Sequence, residues 1–181
     1  MSTSSHDTLR LSAAAAPQRQ HRVRNHVVAV LTLGLVLIGA VAAPARAQSD
    51  EQAVIAVVTH FFDGMRARDT ALLRSTVVPT TMLESVSGPT GLGQPTPIDQ
   101  FIDRVGKGTG PGGNEVIKDP KVHVDGSIAS LWAYFTLTRG GETKINHCGI
   151  DSFLLRKGPD GWKIFHIADT HITEGCTPIT K

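Results

Sequence analysis

Aromatic residues are scarce in this 181-residue chain, at 5% of the sequence, with one tyrosine and two tryptophans. Outside the N-terminal segment no basic stripe is interleaved with aromatics, which leaves nucleic-acid binding without an electrostatic footprint. The apolar stretch Val27 to Val41 is broken by Thr32, Gly34 and Gly39 and falls short of the ~20 residues a membrane-spanning helix needs. Only two cysteines are present, too few for a multiply bridged miniature scaffold.

What is present at the N-terminus reads as an export signal. Arg19, Arg22 and Arg24 precede the apolar stretch, and Ala45-Arg46-Ala47 offers the small-x-small pattern of a cleavage site. The rival reading is an uncleaved anchor helix. Residues 1–47 are expected to be a signal peptide and 48–181 a single domain, periplasmic or secreted, with no membrane attachment after cleavage near Ala47. The leader carries five arginines against one aspartate, so its removal turns a formal charge of +2 into −2. Cys148 and Cys176 would then meet oxidising conditions and can close a loop of about 28 residues, contributing roughly 3–4 kcal/mol. Two unrelated thiols remain the alternative.

Ser49 and Gln52 form a capping-box pattern, followed by Val54, Val57, Val58, Phe61 and Met65 at helical spacing. Asp69 can cap a short second helix through Leu73, and Thr96-Pro97-Ile98-Asp99 opens a third. Thr80–Val86 is ambiguous with a short strand. After the glycine-rich Gly106 to Gly113 the chain reads as strands: Glu115–Val124, Ser127–Thr138, Ile145–Arg156 and Gly161–Thr173. Asp125-Gly126 and Lys157-Gly158-Pro159-Asp160 provide turns. Helices first and long antiparallel strands afterwards predict an α+β fold, with N-terminal helices packed on a strongly curved, mostly antiparallel sheet.

Particular words carry a resemblance. They are Phe61-Phe62-Asp63-Gly64-Met65, Arg68-Asp69-Thr70, Val122-His123-Val124-Asp125-Gly126-Ser127-Ile128-Ala129 and Asp160-Gly161-Trp162-Lys163-Ile164-Phe165-His166-Ile167. In this order they resemble the nuclear transport factor 2-like superfamily, a cone-shaped α+β fold. The closing Ala168-Asp169-Thr170 with Glu174-Gly175-Cys176 is similar to exported bacterial members of no established function. The superfamily spans isomerases, dehydratases and non-catalytic binding or assembly domains, so membership does not choose an activity.

If Arg156 faces Gly161, antiparallel pairing sets Phe153 against Ile164, Asp151 against His166 and His147 against Thr170. Asp151 and His166 then form a cross-strand pair suited to acid–base work, assisted by His147. The same pairing is also met as a surface or core ion pair with no catalytic duty, and a one-residue slip exchanges the faces. The resemblance implies a cavity between sheet and helices, lined by Trp132, Tyr134, His147, Asp151 and His166, closed by His60 or Phe61, with Trp162 on the same face.

Other motifs fail on context. Gly108-Thr109-Gly110-Pro111-Gly112-Gly113 satisfies the letter of a dinucleotide fingerprint but follows a helix and precedes a strand, the reverse of what pyrophosphate binding requires. His166, Asp169 and His171 sit at odd offsets, so His166 points away from the other two, which share a face expected to be the outer one with Cys148. A β-bulge could alter that. No cofactor and no metal site is expected. The leading reading is an exported domain whose cavity binds a small apolar molecule, and the resemblance implies a homodimer through the outer sheet face. Alternatives are a small lyase or isomerase using a His/Asp pair, and a structural or assembly module.

Overall fold

The computed structural model describes residues 44–87, 91 and 93–179, with backbone alone for 44–48. The proposed leader, 1–47, thus lies outside the described residues except for the backbone of its last four. Helix α1 (Pro44–Ala67) already includes Ser49, so in the full chain Ser49 is not its cap. Val54, Val58, Phe61, Phe62 and Met65 form its buried stripe. The helix ends where Arg68 turns left-handed at φ 55°, and Asp69 N–H donates to Gly64 C=O at 2.9 Å. Asp69 then caps α2 (Thr70–Thr76), its side chain accepting from Leu72 N–H at 2.9 Å. Gly64 allows the close approach of α2, since a Cβ there would sit 2.8 Å from Leu73 Cγ.

Strands β1 (Val77–Ser85) and β2 (Thr96–Pro97) follow, then α3 (Ile98–Lys107). The remainder is β3 (Gly113–Asp125), β4 (Ile128–Arg139), β5 (Ile145–Gly158) and β6 (Gly161–Asp169). They form one open sheet in the order β2-β1-β6-β5-β4-β3, in which β1 and β6 run parallel and the other neighbours antiparallel. The α+β class is as the sequence pattern predicts. The helices cover one face of the sheet, where Leu131, Phe153, Leu155 and Ile164 meet the stripe of α1. β3 shifts register between Lys118 and Lys121, where Asp119 adopts φ 47° and Pro120 has no N–H for the ladder.

The last hairpin departs from the expected pairing in two ways. Its turn is the two residues Pro159-Asp160, with Gly158 opposite Gly161, which moves the register by two positions and leaves the faces unchanged. Leu155 therefore pairs with Ile164, and Trp162 and Ile164 stay on the inner face. Beyond them Phe165 has no partner, and Leu154 pairs with His166. That bulge flips the rest of β6, so Ile167 and Asp169 face inward and His166 outward. The parallel neighbour breaks at the same place, with Val77 opposite Ile164 but Met82 opposite His166. The Thr81 hydroxyl lies 2.8 Å from Ile164 C=O and occupies a carbonyl that the irregular ladder leaves over.

Candidate functional site

Between the inner sheet face and helices α1 and α3 lies a cavity of about 630 Å³. One wall is aromatic: Phe61 stacks on Phe101 with centroids 5.9 Å apart and meets Phe153 edge-on at 6.2 Å. The opposing chemistry comes from the sheet, because β3, β5 and β6 each place one carboxyl on the inner face. These are Glu115, Asp151 and Asp169, the last two directly paired across the strands.

Asp151 is 2% exposed, and its Oδ2 has no hydrogen-bond partner among the described residues. Burial pushes its pKa well above the usual carboxyl range, and the neighbouring Glu115 carboxylate pushes it further. Glu115, also buried, is raised to about 7 by desolvation, partly offset by its hydrogen bond with Asp151. Two acids in such contact titrate as a pair, and near neutral pH they hold at least one proton between them.

Asp169 extends the group toward two histidines. His171 Nε2 stands 3.3 Å from Asp169 Oδ1, a contact that raises the histidine pKa against the opposing effect of burial. His147 lies with its ring centroid 4.1 Å from that of His171. Its pKa is lowered, first by burial and then by the positive charge of His171. Phe135 packs edge-on against both rings at 5.7 and 6.2 Å. Two imidazoles in contact are thus driven apart, one toward the neutral base and one toward the cationic acid.

His171 belongs to the tail after β6, which several contacts hold in place. Thr170 N–H donates to Ile150 C=O at 3.0 Å, and Cys148 and Ile172 exchange backbone hydrogen bonds of 2.9 and 2.8 Å. His171 N–H donates to Ser87 Oγ at 2.9 Å. Cys148 and Cys176 lie at disulfide distance, their Cα atoms 5.7 Å apart, which anchors the far end. Gly149 lets the tail cross, because a Cβ there would fall 1.7 Å from Thr170 C=O.

The structure brings Asp151, His147 and Phe61 to the cavity and takes other expected residues away from it. His166 is on the outer face beside Leu154 and Met82, turned there by the Phe165 bulge, so the Asp151–His166 pair does not exist. Trp132 is 56% exposed and Tyr134 also faces outward, since the inner positions of β4 are Leu131, Ala133 and Phe135. The Tyr134 hydroxyl contacts the tail instead, accepting from Thr177 N–H at 2.8 Å. His60 is exposed on the far side of α1 from its buried stripe. Trp162 is inward but packed in the core outside the cavity, its Nε1–H donating to Asp50 Oδ1 at 3.2 Å.

Asp169 and His171 do share a face, but it is the inner one and not that of Cys148. Glu115 went unnoticed in the sequence, although a charged residue two positions before Ile117 on a strand face was a readable signal. The glycine-rich loop binds the chain's own arginine: Arg68 donates to the carbonyl of Gly110 at 2.7 Å, and to that of Val105 at the end of α3 at 2.8 Å. No group of three or more His, Cys, Asp or Glu among the described residues is arranged to hold a metal ion.

No family model matches the chain, and no curated protein does. Solved structures do match. A nuclear transport factor 2-like protein with a cystatin-like fold from Novosphingobium aromaticivorans superposes with TM-score 0.60 at 17% identity, over 79% of this chain and 94% of that one. A nuclear transport factor 2-like protein of unknown function from Shewanella baltica gives 0.53 at 16%, over 69% and 95%. A proposed dehydratase of the same family from Streptomyces avermitilis gives 0.54 at 16%, over 70% and 98%. The chain has the nuclear transport factor 2-like cone fold.

Proposed function

We propose that the cavity binds a small, largely apolar molecule and transfers protons on it, as a lyase or isomerase of acid–base type. The observation that carries this reading is Asp151: a buried carboxyl with a partnerless oxygen, set in the wall of a cavity large enough for a ligand. A purely structural domain would fill that space with its own side chains, whereas about 630 Å³ lies inside the ~300–1,000 Å³ range of small-molecule sites.

The roles follow from the environments. His147, held toward its neutral form, removes a proton from carbon beside a carbonyl. Asp151, held protonated, donates a hydrogen bond to the oxygen on which negative charge develops. His171, oriented and kept cationic by Asp169, gives its own proton to the new carbon position or to a departing hydroxyl, and the proton left on His147 resets the pair through the ring contact. The first outcome is isomerisation and the second dehydration. The dehydratase proposed for the Streptomyces avermitilis neighbour is compatible with the second.

The test is carbon–hydrogen exchange. Simple aryl ketones and β-hydroxy ketones incubated with the protein in deuterium oxide should lose their α-proton signals, and His147→Gln should abolish that loss. If no ketone in a broad panel exchanges and none binds, the reading is wrong.

Export with cleavage near Ala47 is proposed alongside. The cysteine pair at disulfide distance suits an oxidising compartment. The intact mass of the protein recovered from the culture checks it. A homodimer through the outer sheet face is also proposed, where Ile128 and Trp132 are more than half exposed. Sedimentation that gives a monomer at micromolar concentration would refute it.

A further inference from the structure

Three arginines line the cavity, and they are not equivalent. Arg68 spends its guanidinium on backbone carbonyls of the last turn of α3 and of the glycine-rich loop. The guanidinium groups of Arg104 and Arg139 have no hydrogen-bonded or ionic partner among the described residues. For Arg104 the reason is local, because the neighbouring carboxylates of α3, Asp99 and Asp103, are both engaged by Arg74. Arg104 lies three residues after Phe101, which puts it on the helix face that carries the aromatic wall. Arg139 lies two positions beyond Leu137 on the inner face of β4, and with His147 it also lines an adjoining recess of about 460 Å³.

The acidic groups of the cavity do not use these charges. Asp169 is engaged by His171. Glu115 and Asp151 are raised by burial, so a proton remains between them near neutrality. An aromatic-walled cavity is therefore left with two unengaged cationic groups.

Resting on the reading of this cavity as a small-molecule site, we infer that its ligand is an organic acid, with an apolar body against Phe61, Phe101 and Phe153 and its carboxylate at Arg139, supported by Arg104 from α3. Arg pairs with carboxylate through two parallel N–H donors, which sets direction as well as strength. This binding orients the molecule, because its charged end is held by the arginines. The uncharged carbon that reacts is then left near His147.

A matched pair of probes tests the inference: 3-phenylpropionate and its neutral amide, titrated into the full protein and followed by calorimetry and by histidine NMR. The acid should bind about tenfold more tightly than the amide, as expected for a charge-assisted contact in a partly enclosed site. The preference should shrink in high salt. Arg139→Gln should weaken the acid far more than the amide and so remove the preference, Arg139→Lys should keep part of it, and Arg104→Gln should reduce it less. Bound carboxylate should also raise the pKa of His147, which feels the positive charge of Arg139, and the amide should not. Melting curves check that the variants fold, and the salt series on the unaltered protein decides if they do not. Equal binding of acid and amide, or a preference that survives Arg139→Gln, overturns the inference and leaves the cavity reading standing. Binding of neither probe overturns the inference and counts against the cavity reading itself.

Discussion

The two ends of the last hairpin are made by the same two strands and behave as opposites. At the closed end Leu155 faces Ile164, both fully buried, with Trp162 beside them. At the open end the same strands oppose Asp151 to Asp169, with Glu115 near enough to share a proton. One unpaired residue, Phe165, separates the two regimes. Apolar pairs at the closed end lower the free energy with each contact made. Asp151 and Glu115 at the open end raise it, because burial and their mutual repulsion both oppose their ionisation. A fold keeps such a cluster only where neighbouring contacts over-determine its position, and the closed end supplies them.

Breaking the closed end should cost most. Leu155→Ala removes a fully buried side chain from the core and is expected to destabilise by about 2–5 kcal/mol in chemical denaturation, with the open end then failing as a consequence. Untying the tail comes next. Replacing Cys148 and Cys176 by serine removes a closure over 28 residues, an expected loss of about 3 kcal/mol. It should also release His171, whose pKa would fall back toward the ordinary histidine value in an NMR titration. A His171 signal that stays put would show that Ser87 and the Cys148–Ile172 bonds suffice to hold it.

Altering the open end should have a smaller effect, with the opposite sign. Asp151 and Glu115 hold their protons more firmly when folded than when unfolded. Stability therefore falls as pH rises from about 4, where unfolded carboxyls ionise, through about 7, where Glu115 titrates. Asp151→Asn should flatten that decline and raise stability at pH 7 by about 1–2 kcal/mol, while slowing α-proton exchange, since an amide N–H is a weaker donor than a carboxylic acid. A variant less stable than the parent at pH 7 and equal to it at pH 4 would reverse the assignment.

His171→Gln should change stability least. A raised histidine pKa contributes fully below about 6.5 and is lost as pH climbs through the folded-state value. The pair with Asp169 is partly exposed, so the expected loss at pH 5 is under about 1 kcal/mol and should vanish at alkaline pH. Thermal melts at the two pH values measure it.

How far each region was readable from its residues follows the same division. Alternation along β4 and β5 is regular through Leu131, Ala133 and Phe135 and through Asp151, Phe153 and Leu155, so the inward placement of Asp151 and His147 could be read directly. The buried stripe of α1 and the cap at Asp69 were readable for the same reason: each depends on neighbours within a turn or two. Trp132 and Tyr134 were correctly seen as sharing a face, but the choice of face depends on which side the helices cover. His166 was lost at the bulge. An extra residue in β6 leaves no mark in an alternating pattern that β-branched and aromatic residues satisfy in either register.

By itself the chain determined its three helices, its four long C-terminal strands and the apolar periods that bring helices and sheet together, because these follow from local geometry and hydrophobic spacing, whereas strand β1 and the meeting of Cys148 with Cys176 were left open. Only the folded molecule decided that Glu115, Asp151, Asp169, His147 and His171 meet. That meeting depends on a bulge in β6, where the pairing with the parallel neighbour β1 is also irregular, and on a tail crossing β5 over Gly149. The protonation states that give these groups different roles were decided there as well, since an acid's pKa depends on its surroundings in space, and those surroundings come from four separate stretches of chain.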